Sequence, residues 1–378
     1  MSVVACRQSL HLIAVAGAIL AVSNIAFAQP HLVQRSASLP KFDDFPNRRM
    51  PTTTGVFSWC GAQDRYLIWH FGAPSLLLDA ASDAEGVQVP SLLAPSRCDE
   101  TGANIISPNS SRDALVRFNV EQRTKETVAL YRELDARTFP QTISTSPSLK
   151  SVAYDARMIR FNEENTKVKL LPLVAGEDQH TGMIDWKADS SKLFQITWSQ
   201  AVARSHKTFI SIVDVATGKT VRGDLPADYN FMSGRFLDSG RELLVFMRPR
   251  GDLPPAYPPG TVFRCSISPF TCRPVVSDVD EVSMNEHGLI GAVTLIYRDQ
   301  RARNESDSFV FPDKYVFRAL DVDGRTLIRQ EMRGRGISDV NIHIAPSSRR
   351  IVLRWSDIKQ WCGTNCEVGK IVELPKLN

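Results

Sequence analysis

Seven short polar turns, each followed by a β-rich run, recur along the chain, and this repetition restricts the possible folds more than any other feature. The turns are Gly61-Ala-Gln-Asp64, Asn109-Ser-Ser-Arg112, Pro147-Ser-Leu-Lys150, Ala188-Asp-Ser-Ser191, Asp238-Ser-Gly-Arg241, Asn285-Glu-His-Gly288 and Pro346-Ser-Ser-Arg349. The runs behind them occupy 65–71, 114–118, 151–154, 192–198, 242–246, 289–297 and 350–355, rich in Leu, Val, Ile, Phe and Trp. The span from 61 to 346 divided by six gives a mean spacing of about 47.5 residues, the length of one four-stranded propeller blade. No helical period fills the intervals, and no heptads occur.

The better units show a second hairpin. Phe209-Ile-Ser-Ile-Val-Asp-Val215 turns through Ala216-Thr217-Gly218, and Tyr315-Val-Phe-Arg-Ala-Leu-Asp-Val322 turns through Asp323-Gly324, a strong hairpin signal between β-rich runs. The sequence therefore predicts an all-β chain folded as a seven-bladed β-propeller with four-stranded antiparallel blades, a six-bladed ring being the alternative. The last unit has room for fewer than four strands. An open ring would leave unpaired strand edges, so residues 29–54 are expected to supply the missing outer strand, His31-Leu-Val-Gln34 being the β-like run there. The propeller itself is expected over 55–378.

Residues 1–28 read as a signal peptide. Arg7 precedes the apolar run Leu12–Val22, too short to span a bilayer, and Ala26-Phe-Ala28 offers a small-x-small cleavage site. The expected location is periplasmic or secreted. Removal of the leader takes Cys6 and leaves six cysteines, an even number suited to an oxidising compartment. The two close pairs, Cys265 with Cys272 and Cys362 with Cys366, leave Cys60 and Cys98 to each other. No zinc-ligand spacing accompanies either close pair, so neither metal nor cofactor is expected. A net charge of +4, with 45 basic and 41 acidic residues, gives no footprint for nucleic acid.

Ile184-Asp-Trp-Lys-Ala-Asp-Ser-Ser-Lys-Leu-Phe194, continuing to Ile212-Val-Asp-Val-Ala-Thr-Gly-Lys219, resembles the repeat of the periplasmic WD-like propellers of the Tol-system type. Gly234-Arg-Phe-Leu-Asp-Ser-Gly-Arg-Glu-Leu-Leu244 resembles half of another unit. The resemblance implies a propeller in the periplasm. The α/β domain that precedes the Tol propeller has no counterpart in residues 29–54, and the Tol partner is not carried over.

Catalytic motifs with a Ser nucleophile elbow, a dinucleotide fingerprint, a His-Glu-x-x-His helix or a phosphate loop do not occur. Asp321-Val-Asp-Gly324 reads as a hairpin turn and Asp278-Val-Asp-Glu281 as a solvated loop. His70, His206, His287 and His343 fall in separate repeats, while Trp69, Trp186, Trp198 and Trp355 read as packing between blades.

Loop length marks the working face. Long connections follow the second strand in the last three units, at 248–260, 298–313 and 356–366, the first stiffened by prolines and the last carrying two cysteines. They bring Arg248, Arg250, Tyr257, Arg298, Arg301, Arg303 and Trp361, residue types enriched at binding hot spots. These observations suggest a monomeric, non-enzymatic binding propeller holding a peptide, glycan or envelope protein. The alternative is a propeller hydrolase or lyase working at the mouth of the axial channel.

Overall fold

The structure is a computed structural model. It describes residues 48–49, 57–60, 65–68, 75–79, 86–89, 97–99, 101–109, 111, 113–130, 143–154, 157–161, 166–170, 179–199, 208–250, 258–298, 312–334, 337–346, 350–357 and 367–374. The proposed leader, His31–Gln34, and the Cys362 and Cys366 pair lie outside them.

Strand β1 is Arg48–Arg49, followed by β2 (Phe57–Cys60), β3 (Arg65–Ile68), β4 (Ser75–Asp79) and β5 (Val87–Val89). Next come β6 (Arg97–Cys98), β7 (Asn104–Pro108), β8 (Ala114–Asn119) and β9 (Thr124–Leu130), then β10 (Ile143–Thr145), β11 (Ser151–Tyr154), β12 (Arg157–Phe161) and β13 (Thr166–Leu170). The fourth group is β14 (Gln179–Trp186), β15 (Lys192–Ser199), β16 (Thr208–Asp214) and β17 (Thr220–Asp224). The fifth is β18 (Tyr229–Phe236), β19 (Glu242–Pro249), β20 (Gly260–Ile267) and β21 (Phe270–Val279). The sixth is β22 (Glu281–Met284), β23 (Ile290–Ile296), β24 (Lys314–Leu320) and β25 (Thr326–Arg333), and the chain closes with β26 (Ile337–Ile344), β27 (Arg350–Asp357) and β28 (Glu367–Glu373).

Among the described residues these strands pair into seven four-stranded sheets, six of them simple meanders in chain order. The last has the order β1-β28-β27-β26, so its outer strand comes from the other end of the sequence. Arg48 pairs with Gly369 and Arg49 with Val368, antiparallel. The N-terminal strand that completes the last sheet is Arg48–Arg49; the run expected to do so, His31–Gln34, lies outside the described residues. First strands of successive sheets touch, β2 with β6, β10 with β14, β14 with β18 and β22 with β26, which places them innermost. The fold is an all-β propeller of four-stranded antiparallel blades.

The core lies between blades. Phe194, Ile196, Ile210 and Ile212 of the fourth sheet pack on Phe236, Leu243, Val245 and Met247 of the fifth. Leu244, Phe246 and Val262 of the fifth meet Met284, Ile290 and Ala292 of the sixth, and Val293 and Phe317 of the sixth meet Ile342, Leu353 and Trp355 of the last. Tyr66 and Ile68 of the first sheet join Val352 and Ile371 of the last. A meander buries both faces of its middle strands in this way, which is why the predicted runs are continuously apolar instead of alternating.

Both described disulfides join the cysteines expected. Cys265 and Cys272 face each other in the β20–β21 register, stapling one hairpin. Cys60–Cys98 links β2 to β6, so it ties two blades together and does not act within the first blade.

One repeat is shifted. Asn109–Arg112 falls between β7 and β8, the second and third strands of its sheet, whereas the other six turns follow the first strand. The equivalent turn in the second sheet begins at Asp99. There Gly102 N donates to Asp99 O at 3.1 Å with Gly102 at φ +69°, and the Asp99 carboxylate accepts from Asn104 Nδ2 at 2.8 Å.

Candidate functional site

Two regions gather the polar groups: the inner strands at the axis and the connections on one face. In the inner strands side chains alternate, so the buried last residue of each is preceded by one facing inward. Cys60, Cys98, Thr145, Trp186, Phe236, Met284 and Ile344 are buried. The inward positions are then Arg97, Ser144, Asp185, Arg235, Ser283 and His343, while Trp59 packs edge-on against Tyr66 between the first and last sheets. Arg97 of the second sheet bonds Asp185 of the fourth at 3.3 Å, and Arg235 of the fifth reaches the other Asp185 oxygen at 2.8 Å. A contact between sheets that are not neighbours can only cross the axis, which confirms the assignment.

This triad is a structural tie. Asp185 is 8% exposed and balances two guanidinium groups. Burial pulls the Arg97 guanidinium below its ordinary value and the Asp185 charge pushes back. His343, also inward, is held neutral: burial, with the nearby Arg354 charge adding, lowers it to about 3. His287 lies in the β22–β23 turn, where its Nδ1 sits 2.6 Å from Asp238 Oδ2. The two histidines therefore serve different places, and His70 and His206 are outside the described residues.

The connection face carries the predicted loops. Between second and third strands the intervals are 69–74, 109–113, 155–156, 200–207, 250–259, 297–313 and 358–366, so the three longest belong to the last three sheets. The interval 200–207 in the fourth sheet is nearly as long as that of the last, although no proline or cysteine marks it in the sequence. Of the proposed binding residues, Tyr257, Arg301, Arg303 and Trp361 lie outside the described residues. Arg298 is exposed.

Arg248 and Arg250 sit at the feet of the 250–259 loop and face the protein. The Arg248 guanidinium donates to Asp280 O, lies 3.9 Å from Glu281 Oε1 and stacks over the Phe246 ring at 5.7 Å. Burial raises the Glu281 carboxyl, against the pull of Arg248. Arg250 N donates to Asp228 O at 2.7 Å, its Nε to Tyr229 O at 3.4 Å, and its Nη2 to Thr208 Oγ1 at 3.4 Å. One arginine thus ties the loop to the following sheet and the other to the preceding one.

The 297–313 loop is closed at its base as well. Asp313 N donates to Ile296 O at 2.8 Å and Gly334 N to Asp313 O at 2.7 Å. A Cβ on Gly334 would fall 1.7 Å from Pro312 O, so only glycine allows β25 to pass this close to the loop foot. Asp280, read from sequence as part of a solvated loop, is 5% exposed and caps this face: its Oδ2 accepts from Leu295 N at 2.7 Å. Asp321-Val-Asp-Gly324 is the hairpin turn expected, with Gly324 N donating to Asp321 O at 3.0 Å.

The geometry defines a β-propeller whose loop-bearing face has fixed feet. The sequence matches no protein-family profile and no curated protein. Among solved structures it is similar to the β-propeller domain of Cps50 (Swd1) from Myceliophteria thermophila, with 12% identity and a TM-score of 0.55 over 87% of this chain and 99% of that one. It is also similar to hydrazine synthase of Kuenenia stuttgartiensis, with 11% identity and a TM-score of 0.53 over 84% of this chain and 94% of that one. A third is Raptor of Chaetomium thermophilum, with 12% identity and a TM-score of 0.54 over 87% of this chain and 28% of that one. At such identities the likeness is one of fold, and the functions differ among the three.

Proposed function

We propose that this chain is an exported, non-enzymatic binding propeller, a single closed ring of seven blades that holds a peptide, glycan or envelope protein on the loop-bearing face of its last three blades. The leader-like residues 1–28 and the paired cysteines support export, and the contact of the first sheet with the last supports closure. The observation that carries the binding role is the clamping of the loop feet. Arg248 and Arg250 lock the 250–259 connection to the sheets on both sides. A loop whose ends are fixed loses less entropy on binding, so affinity accumulates there.

Arg248 and Arg250 position the rim and Arg298 is exposed beside it; with Tyr257, Arg301, Arg303 and Trp361 of the same loop segments, Arg298 is the proposed contact set for a partner. Asp299, Glu305, Asp307 and Asp313 offset the arginines, so the partner carries both signs of charge. Replacing Tyr257, Arg301 and Arg303 together by Ala is expected to leave the melting temperature nearly unchanged, since exposed loop positions contribute within about 0.5 kcal/mol each. Capture of crosslinked partners from periplasmic extract should fall at least roughly tenfold, or about 1.4 kcal/mol. Unchanged capture would place the binding surface elsewhere.

A further inference from the structure

On the opposite face, the first-to-second-strand turns of the fifth and sixth sheets meet. Asp238 follows β18, and Glu286 and His287 lie between β22 and β23. Asp238 N donates to Glu286 O at 2.8 Å, which sets the two turns side by side. The imidazole nitrogen of His287 and one carboxylate oxygen each from Asp238 and Glu286 lie within 4.8 Å of one another. We propose that Asp238, Glu286 and His287 form a binding site for a zinc-class divalent transition ion that cross-links the two blades.

The donor set selects the ion. One imidazole nitrogen with two carboxylates suits zinc and its neighbours, whereas calcium and magnesium prefer all-oxygen shells. Ligand bonds of about 2.0–2.2 Å set neighbouring donors roughly 3.3–3.5 Å apart, so an ion would part His287 Nδ1 from Asp238 Oδ2, now 2.6 Å apart, and replace their hydrogen bond, with Glu286 drawn onto the same centre by a side-chain adjustment. All three side chains keep access to water, so solvent can complete the shell. The scaffold beneath is fixed: Asn285 is 4% exposed, donates to Ala345 O at 3.1 Å and accepts from Leu289 N at 3.0 Å.

Charge also favours a cation. The positive groups around the cluster are Arg235, Arg97 and Lys187, and each has a nearer anion: Asp185 for both arginines and Asp189 for Lys187. Two carboxylates remain facing each other across the turns.

The test uses the full mature chain without an affinity tag, stripped with chelator and titrated near pH 7.5 with zinc chloride by calorimetry. Cobalt(II) absorption reports the ligand field. One zinc per chain, a raised melting temperature on zinc addition, and at least roughly 30-fold weaker binding in His287→Ala and in Asp238→Asn are expected. The Asn variant keeps a hydrogen bond to His287, and circular dichroism of both variants checks folding. Absence of zinc binding, equal binding by calcium, or a cobalt spectrum unchanged in folded His287→Ala and Asp238→Asn would overturn the site.

Discussion

At the residue scale, the axial charges are paired so closely that single changes are expected to be felt in stability. Asp185 is the shared anion of Arg97 and Arg235, and removing a buried partner leaves the others desolvated without compensation. With Arg235 38% exposed, part of that penalty is returned by water, so Asp185→Asn should lower the unfolding free energy by about 2 kcal/mol, read as a lower urea midpoint. His343 gives a pH signature. Its folded value is about 3 against an ordinary 6.5, so the unfolded chain binds the extra proton. Its contribution is therefore complete above pH 6.5 and is lost as pH falls towards 3. Because the ring is only half-buried, the loss between pH 7 and pH 5 should be on the order of 1 kcal/mol, and His343→Gln should flatten that part of the urea-measured profile. An equal slope in both proteins would show that the histidine is protonated in the fold.

At the element scale, the disulfides differ in what they hold. Cys60–Cys98 closes a segment with a sequence separation of 38 and joins two blades, while Cys265–Cys272 has a separation of 7 and staples a hairpin already paired in register. Loop-closure entropy gives about 4 kcal/mol for the first and about 2.5 kcal/mol for the second. Thermal melts of Cys60→Ala/Cys98→Ala and Cys265→Ala/Cys272→Ala should show the larger drop in the first. The strands themselves were legible because apolar runs and polar turns alternate at a steady spacing. One turn imitates another by its local chemistry: Asn109-Ser-Ser-Arg112 has the Asx-turn character of a first turn, with Asn109 Nδ2 donating to Asp113 Oδ1 at 2.6 Å, but stands one hairpin late. The genuine turn, Asp99-Glu-Thr-Gly102, has the form of Asn285-Glu-His-Gly288 but lies only ten residues before Asn109-Ser-Ser-Arg112, which occupies the place that the regular spacing leads one to expect. The pairing of Cys60 with Cys98 was legible by elimination, but its place between blades was not, because that depends on which strands are innermost. For the same reason the axial triad could not be read from sequence: Arg97, Asp185 and Arg235 share a position within their units, and that equivalence appears only when the second repeat is placed in register.

At the scale of the molecule, the ring depends on how its two ends are fastened. The last sheet gains its outer strand from Arg48–Arg49, a pairing of two residues, and it also packs through Val352 and Ile371 on Tyr66 and Ile68 of the first sheet. The apolar contact supplies most of the adhesion, since burial scales with area at about 25 cal/mol per Å², whereas two ladder pairs contribute about 1 kcal/mol per hydrogen bond. The short strand has a second effect: it covers the edge of β28, whose free N–H and C=O groups would otherwise template association with another chain. Deleting residues 1–54 should therefore lower the melting temperature modestly, by about 2–5 °C, corresponding to one or two kcal/mol in a protein of this size. The larger effect should be colloidal. Size-exclusion chromatography with light scattering should show a concentration-dependent shift to dimers or larger species, and Val368→Lys on the exposed β28 edge should suppress it by placing a charge where strands would pair. A truncated chain that stays monomeric at all concentrations, with its melting temperature unchanged, would mean that the ring closes on the hydrophobic contact alone and that the Arg48–Arg49 pairing is incidental.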